Sequence, residues 1–474
     1  MLLKDVLKGV DIIRTNCDLD TPVTSVSHDS REVEKGTLFV AISGFQTDGN
    51  KYAKGAIESG AIAILTEKAD ENLPYILVEN SRRALAIAAA NFHSNPTRKM
   101  TMIGVTGTNG KTTVTYLLKK VLEDSGKKVG LIGTNQNMIG DEIIATERTT
   151  PDGNALQTLF ARMEKAGCDC VVMEVSSHSL VLDRVYGIEF EVGIFTNLSR
   201  DHLDFHGDME NYAKAKAMLF DRSKYGIINA DDEYAPFMLK GKKCKYITCS
   251  IKGNDADLAC KELNLGEEGV CFTVNNIPFS LNIPGEFSAY NALSVIGTAY
   301  ALGIPMESCA KSLATASGVS GRAEVVSVNA DYTVMIDYAH SPDGLENILN
   351  TVKGFVRNRI IVVFGCGGNR DATKRPIMGE IASRLADVVV VTSDNPRCEE
   401  PMEIINQILP GVNRDKAEVY VNASRPDAIH YALSIAKKGD VVLLAGKGHE
   451  TYQEINGVKH HMDEREIVAE YFEK

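Results

Sequence analysis

The sequence predicts an α/β protein with mainly parallel sheets in three domains, and three observations carry that prediction. Short β-branched runs, followed by Gly or Asp, alternate with helical periods, the spacing that crossovers between parallel strands require. Several runs are apolar at every position, as in strands whose sheet is covered on both faces. The length, 474 residues, corresponds to three domains at about 150 residues each.

In chain order, the predicted strands are Met102–Val105, Val129–Ile132, Cys170–Val175, Gly193–Thr196, Val334–Ile336, Ile360–Phe364, Val388–Thr392 and Val441–Leu444. Tyr246 to Ile283 reads as short antiparallel strands and turns. Breaks at Asn95-Pro96-Thr97-Arg98 and at Gly318-Val319-Ser320-Gly321 divide the chain into 1–98, 99–322 and 323–474. There is no internal repeat and no low-complexity linker.

Composition excludes several classes. Lys and Arg number 51 and Asp and Glu 63, a net charge of −12, so phosphate neutralisation along a nucleic acid is not expected. No apolar run approaches the roughly 18 residues of a membrane span. Lys4, Asp5, Lys8 and Asp11 leave the first residues without the apolar stretch of a secretory signal. The ten cysteines are scattered, apart from Cys168-x-Cys170, and read as reduced thiols. The expectation is a cytoplasmic protein.

Gly104-Val105-Thr106-Gly107-Thr108-Asn109-Gly110-Lys111-Thr112-Thr113 follows a strand and opens a helix whose Val114, Leu117, Leu118, Val121 and Leu122 share a face. That is the context of a phosphate-binding loop. Glycines let backbone N–H groups close on phosphate, the helix start adds positive potential, Lys111 reaches the β/γ-phosphates and Thr112 can ligate Mg²⁺. The consensus wants Gly where Val105 stands; the glycines fall at 104, 107 and 110. The loop alone does not separate kinase, GTPase, ATPase and ligase, although a guanine-reading Asn-Lys-x-Asp is absent.

Glu174 ends a buried strand and His202 follows another, so both are placed to meet that loop at the carboxyl edge of the sheet. His202-x-Asp204-x-His206 also fits a metallohydrolase cluster, though the spacing is nonspecific. In the next helix Met209, Tyr212, Ala213, Leu219 and Phe220 form an apolar stripe, and Lys216 falls inside it while Lys214 lies opposite with Glu210. Lys216 is either a snorkelling side chain or an amine made neutral or modified to a carbamate that carries negative charge towards Mg²⁺.

In the last segment four strands end in chemically loaded loops: Asp337-Tyr338-Ala339-His340, Gly365-Cys366-Gly367-Gly368-Asn369-Arg370, Ser393-Asp394-Asn395-Pro396-Arg397 and Ala445-Gly446-Lys447-Gly448-His449-Glu450. In a parallel sheet they share one edge and suit a zwitterionic ligand, arginine gripping carboxylate. Arg370 stands where a dinucleotide fingerprint wants Gly, so that reading fails.

Together these residues resemble the Mur ligases of peptidoglycan synthesis. The resemblance covers essentially the whole chain. It rests on Asp29-Ser30-Arg31 with the Gly36-to-Gly44 stretch, the Thr106–Thr112 loop, Glu174 to His178, Asp201-His202-Leu203-Asp204 and Tyr212-x3-Lys216. It continues through Gly285-x-Phe287-x2-Tyr290-Asn291, Gly321-Arg322-x-Glu324, Asp337 to His340, and the Gly367, Asp394 and Gly446 loops.

The resemblance implies an N-terminal UDP-binding domain, a central P-loop ATPase domain and a C-terminal Rossmann-like domain, in a monomer. It implies that Gly107, Thr108, Asn109, Gly110, Lys111, Thr112 and Thr113 hold ATP phosphates, and that Asn291, Arg322 and Asp337 contact adenine and ribose. Thr112, Glu174, His202 and carbamylated Lys216 would set Mg²⁺. Ser30 would meet the uridine-nucleotide end of UDP-MurNAc-L-Ala-D-Glu, and Thr149, Thr150, Ser176 and Arg184 its muramoyl-dipeptide. Arg370, Asp394, Asn395, Pro396, Arg397, Gly446 and Glu450 would bind the incoming amino acid.

Asp394-Asn395-Pro396-Arg397 looks like a meso-diaminopimelate selector, because the distal carboxylate that lysine lacks needs a cationic partner. The alternatives are the same reaction with L-lysine, a folylpolyglutamate synthetase, and a non-catalytic P-loop switch. Asn50 and Leu182 depart from the family pattern, which expects His and Gln, on the substrate side. Substrates on separate domains imply closure, with hinges near 98 and 322.

Overall fold

The computed structural model describes residues 1–44, 47–146, 148–253, 255–266 and 269–473. Three large sheets follow one another along the chain, accompanied by two smaller antiparallel ones. The first runs Ile12–Thr15, Tyr75–Val78, Ala63–Thr66, Thr37–Ala41, Ser25–Ser27, parallel except for its first strand. It has its own core around Leu38, Val40, Leu65 and Ile76.

The central sheet runs Leu258–Ala259, Lys245–Ser250, Ser223–Asn229, Phe190–Phe195, Thr101–Thr106, Cys170–Glu174, Val129–Ile132, Asn137–Ile139, Glu142–Ile144. The first seven strands are parallel and the last two form an antiparallel edge. The strands read from the sequence are present, with ends shifted by a few residues at most. One expectation is corrected. Lys245–Ser250 and Leu258–Ala259 are parallel extensions of this sheet, and only Lys261–Leu265, Val270–Val274 and Ile277–Leu281 form an antiparallel unit. The reason is the helix Glu286–Ala301, buried along most of its length, which covers Ile227, Ile247 and Cys249. Gly297 allows that approach, since a Cβ there would lie 2.8 Å from Ile227.

The third sheet runs Glu324–Val326, Thr333–Asp337, Val441–Ala445, Ile360–Phe364, Val388–Thr392, Glu418–Asn422, parallel beyond its antiparallel first strand. A short hairpin, Tyr452–Ile455 with Val458–His461, follows. Central and third sheets share one continuous apolar core. Register sets the site. Glu174 pairs with Val105 and Phe195 with Thr106, so three central loops leave at one level. Asp337 pairs with Ala445 and Phe364 with Val391, which brings the four loaded loops of the third sheet to one edge.

Candidate active site

The two carboxyl edges line a common cleft of about 1950 Å³. The phosphate loop enters the helix Lys111–Asp124 through Gly110, whose φ of +85° is left-handed. A side chain at Gly110 would meet Asn291 Oδ1 at 2.4 Å, which places buried Asn291 directly beneath the loop. Gly107 is equally constrained, since a Cβ would fall 1.8 Å from Thr196 Oγ1. Gly104 is not part of the loop. It lies within the strand Thr101–Thr106 under the Phe190 ring, so its glycine is a packing requirement. Lys111 Nζ donates to the carbonyls of Gly107 and Thr108, both at 2.9 Å, and burial holds its ammonium below the ordinary lysine range.

Glu174 is fully buried. Its carboxylate accepts from Thr112 Oγ1 and Thr134 N at 2.9 Å and from Thr134 Oγ1 at 3.0 Å. Arg322 Nη2 donates to Thr112 Oγ1 at 3.2 Å, and its guanidinium lies over the Tyr338 ring. Asp337 Oδ2 accepts from Ala323 N at 2.7 Å, and burial raises its pKa. Thr150 Oγ1 donates to Glu174 O, Ser176 N donates back to Thr150 Oγ1, the Thr134 and Thr149 hydroxyl oxygens lie 3.0 Å apart, and Arg184 Nη1 donates to Thr150 O. Thr149, Thr150, Ser176 and Arg184 are thus one connected wall of the cleft. Arg148 lies near enough to lower the Arg184 pKa further, after burial, the larger cause.

Lys216 lies in the helix Met209–Ala217, 1% exposed, with Nζ 4.4 Å from the Tyr212 ring centroid. Burial first, and then the Lys111 charge, push its pKa well below the ordinary lysine value. Lys214 pairs with Glu210 on the exposed face, as the stripe implies. Tyr212 OH reaches Thr108 Oγ1 at 3.3 Å, tying this helix to the phosphate loop. His202, left-handed at φ +54°, packs against His178 and Tyr212. Burial, with help from the Lys111 and Lys216 charges and against Asp201, lowers its pKa to about 4. His202 is therefore a neutral imidazole at physiological pH.

Among the described residues no three His, Cys, Asp or Glu side chains assemble as a metal cage. That removes the His202/Asp204/His206 zinc reading, and His206 Nε2 instead meets Ser177 Oγ at 2.9 Å. A Mg²⁺ that retains water and binds substrate phosphates needs only one or two protein oxygens. The buried Glu174 carboxylate and the Thr112 hydroxyl, hard donors in contact with each other, fit that ion.

In the third sheet, Asn395 Nδ2 donates to Glu450 at 2.8 Å, and the buried Lys447 Nζ reaches Asn395 Oδ1 at 2.8 Å and Glu450 at 2.6 Å. Asp394 keeps one buried oxygen unpartnered, facing Gly446, where a Cβ would approach it to 2.7 Å. Arg397 pairs with Glu454, and exposed Arg370 lines the cleft. A Cβ at Gly368 would strike Pro396 O at 1.9 Å, so Pro396 serves as backbone packing and does not line the cleft. Ser30 also lies outside the lining, on the 3-10 turn Ser30–Glu32 capped by Asp29. Nearby His28 faces Asp152, the cap of the helix that follows Thr150.

Sequence reading missed Thr134, Asp343, Arg425 and Glu454, and gave Lys447 no role beyond its place in the Gly446 loop. Lys447 sits in a loop already singled out and Glu454 just beyond it, but their partners lie more than 50 residues away, at Asn395 and Arg397. No local signal announces them.

Comparison with known proteins agrees with this geometry. Residues 22–93 match the description "Mur ligase family, catalytic domain", 105–299 "Mur ligase middle domain" and 321–448 "Mur ligase, glutamate ligase domain". A protein of Clostridium tetani named UDP-N-acetylmuramoyl-L-alanyl-D-glutamate--2,6-diaminopimelate ligase is 47% identical, with 100% of both chains covered. Its namesake in Caldanaerobacter subterraneus subsp. tengcongensis is 49% identical over 99% of this chain and 98% of that one. A solved structure bearing the same enzyme name superposes with a TM-score of 0.73 at 32% identity, covering 100% of this chain and 99% of the other. With relatives this similar from end to end, the chain belongs to the Mur ligase family.

Proposed function

We propose that this protein adds meso-diaminopimelate to the D-Glu of UDP-MurNAc-L-Ala-D-Glu, consuming ATP and releasing ADP and phosphate. Three units share the work: 1–98 takes the uridine nucleotide, 99–322 ATP, and 323–474 the amino acid. The D-Glu γ-carboxylate attacks the γ-phosphorus, giving an acyl phosphate and ADP. The free amine then attacks the acyl carbon, and the tetrahedral intermediate loses phosphate and a proton to leave the amide.

The chain's part is mainly positioning and charge neutralisation. Lys111 exchanges its loop carbonyls for phosphate oxygens. Glu174 and Thr112 would hold Mg²⁺, with His202 and a carbamate on Lys216 completing its surroundings; the ion supplies neutralisation of phosphate charge. Burial and the Lys111 charge, which push the Lys216 pKa down, support the carbamate, because only the unprotonated amine adds to CO₂. Arg184 and the Thr149–Thr150–Ser176 wall orient the dipeptide, and Asn291, Arg322 and Asp337 the nucleoside. The cleft is lined by residues of one chain, which supports a monomer, and no helix among the described residues is long and apolar enough to cross a membrane.

The observation that carries the choice of amino acid is Arg397, held at the cleft by Glu454 and the Gly368 carbonyl. Phosphate release is measured with ATP, UDP-MurNAc-L-Ala-D-Glu and a panel of amino acids. Release should require both co-substrates and be fastest with meso-diaminopimelate. A clear preference for lysine would overturn the reading.

A further inference from the structure

Arg397 is shaped by contacts from behind as well as by what it faces. Its backbone is left-handed, at φ +53°. The turn is strapped to the Tyr452–His461 hairpin from both sides, Arg397 N donating to Glu454 O at 3.0 Å and Asn456 N donating to Arg397 O at 2.8 Å. The side chain is held twice more: Nε donates to Glu454 Oε2 at 3.1 Å and Nη1 to Gly368 O at 2.8 Å. Glu454 is itself fixed, since its N–H donates to Asn395 Oδ1 at 2.9 Å.

A guanidinium offers five N–H groups. These two contacts use one on Nε and one on Nη1, and leave the other Nη1 hydrogen and both Nη2 hydrogens. Arg397 lines the cleft and Glu454 does not. The Nε edge is therefore closed from behind and Nη1 is tied to Gly368 O, so a carboxylate in the cleft meets the guanidinium at its Nη2 end.

We propose that Glu454 is a specificity-determining positioning residue, which clamps the Nε edge of Arg397 and aims its free Nη2 end at the distal carboxylate of the incoming amino acid. This rests on the proposed function and adds to it a residue that never touches substrate. An arginine free to rotate among its rotamers would present either edge, and the entropy of fixing it would weaken carboxylate binding. Glu454 removes that cost before the substrate arrives. Because its pairing also offsets the Arg397 charge, selectivity for a carboxylate then comes from geometry more than from net charge.

The test is steady-state kinetics of the full chain carrying Glu454→Ala and, separately, Glu454→Gln, which keeps an acceptor for Nε. Glu454→Ala should raise KM for meso-diaminopimelate about tenfold, the weight of one hydrogen bond to a charged group. Its kcat and its KM for ATP and UDP-MurNAc-L-Ala-D-Glu should stay within about twofold on the same reasoning. Glu454→Gln should restore most of the loss. In competition between the two amino acids, Glu454→Ala should incorporate relatively more lysine. An unchanged KM for meso-diaminopimelate in Glu454→Ala, or an equal rise in all three KM values, would overturn the proposal. Loss of the proposed function shows itself differently, as a wild-type chain that does not prefer meso-diaminopimelate.

Discussion

Lys216 brings an amine into surroundings that disfavour its charged form, a buried helix face with the Lys111 ammonium nearby, and these outweigh the Tyr212 ring 4.4 Å away, whose face favours a cation. A lysine whose folded-state pKa is depressed stays unprotonated to lower pH than in the unfolded chain, and so remains nucleophilic towards CO₂. Lys216→Ala should lower kcat by roughly 10²–10³-fold, the range seen when one preorganised electrostatic group is removed. Activity should partly return with millimolar formate or acetate, which can occupy the vacated volume and replace the negative charge. Full activity without added carboxylate would sink the carbamate. This residue was legible because helical periodicity assigns every position to a face, and a lysine on the apolar face stands out. Glu454 was not, because its meaning depends on a turn 57 residues earlier.

At the scale of elements, the strands were legible where both sheet faces are covered and the runs are continuously apolar, as in Ile360–Phe364 and Val388–Thr392. Lys245–Ser250 was misread because alternating burial at a sheet margin looks the same in parallel and antiparallel strands. The Asp394 and Gly446 loops need more than strands to hold them. Arg425 in the helix Arg425–Ile435 is wholly buried, pairs through Nε with the equally buried Glu464 at 2.8 Å, and donates to Ser393 O and Ala445 O. It thereby joins the ends of the two strands that launch the Asp394 and Gly446 loops. Removing one partner of such a pair leaves an uncompensated buried charge, so Arg425→Ala or Glu464→Ala should each cost about 3–5 kcal/mol on denaturant unfolding. Replacing both with apolar residues should recover most of that stability. KM for the amino acid should nevertheless stay raised in the double variant, because the carbonyls of Ser393 and Ala445 have lost their common donor. A double variant with normal KM would show that the pair serves stability alone.

The whole molecule carries a net charge of −12 while its proposed substrates are anionic or zwitterionic, so attraction has to be local to the cleft. The cleft supplies it with Lys111, Arg148, Arg184, Arg200, Arg322, Arg370, Lys374 and Arg397, several of them invisible as a group until the two sheet edges face each other. What joins those edges is partly polar. Asp343, in the first turn of the helix Pro342–Lys353, accepts from Asn109 Nδ2 at 2.6 Å and Ser199 Oγ at 2.8 Å across the joint, and from Asn347 Nδ2 at 3.1 Å within its helix. Burial raises its pKa while the Ser199 and Asn109 hydrogen bonds oppose that. Asn109 belongs to the glycine loop before the helix Lys111–Asp124, so on the proposed division of labour the contact couples nucleotide binding to the approach of the unit 323–474. Each bond to this carboxylate is worth about 1.5–3 kcal/mol, enough that losing the pair across the joint shifts a two-state closure by more than tenfold. Asp343→Ala should therefore enlarge the radius of gyration in small-angle scattering and lower kcat, with the stability of each unit little changed. Labels on the exposed Cys271 and Cys398, which lie on the central and third units, would report the same opening as a longer transfer distance once Cys17 and Cys244, partly exposed, are replaced. ATP with the UDP-dipeptide should restore compactness in the variant, because bound substrates bridge the same edges. A variant as compact and as active as the original chain would show that the shared apolar core, and not this carboxylate, holds the cleft closed.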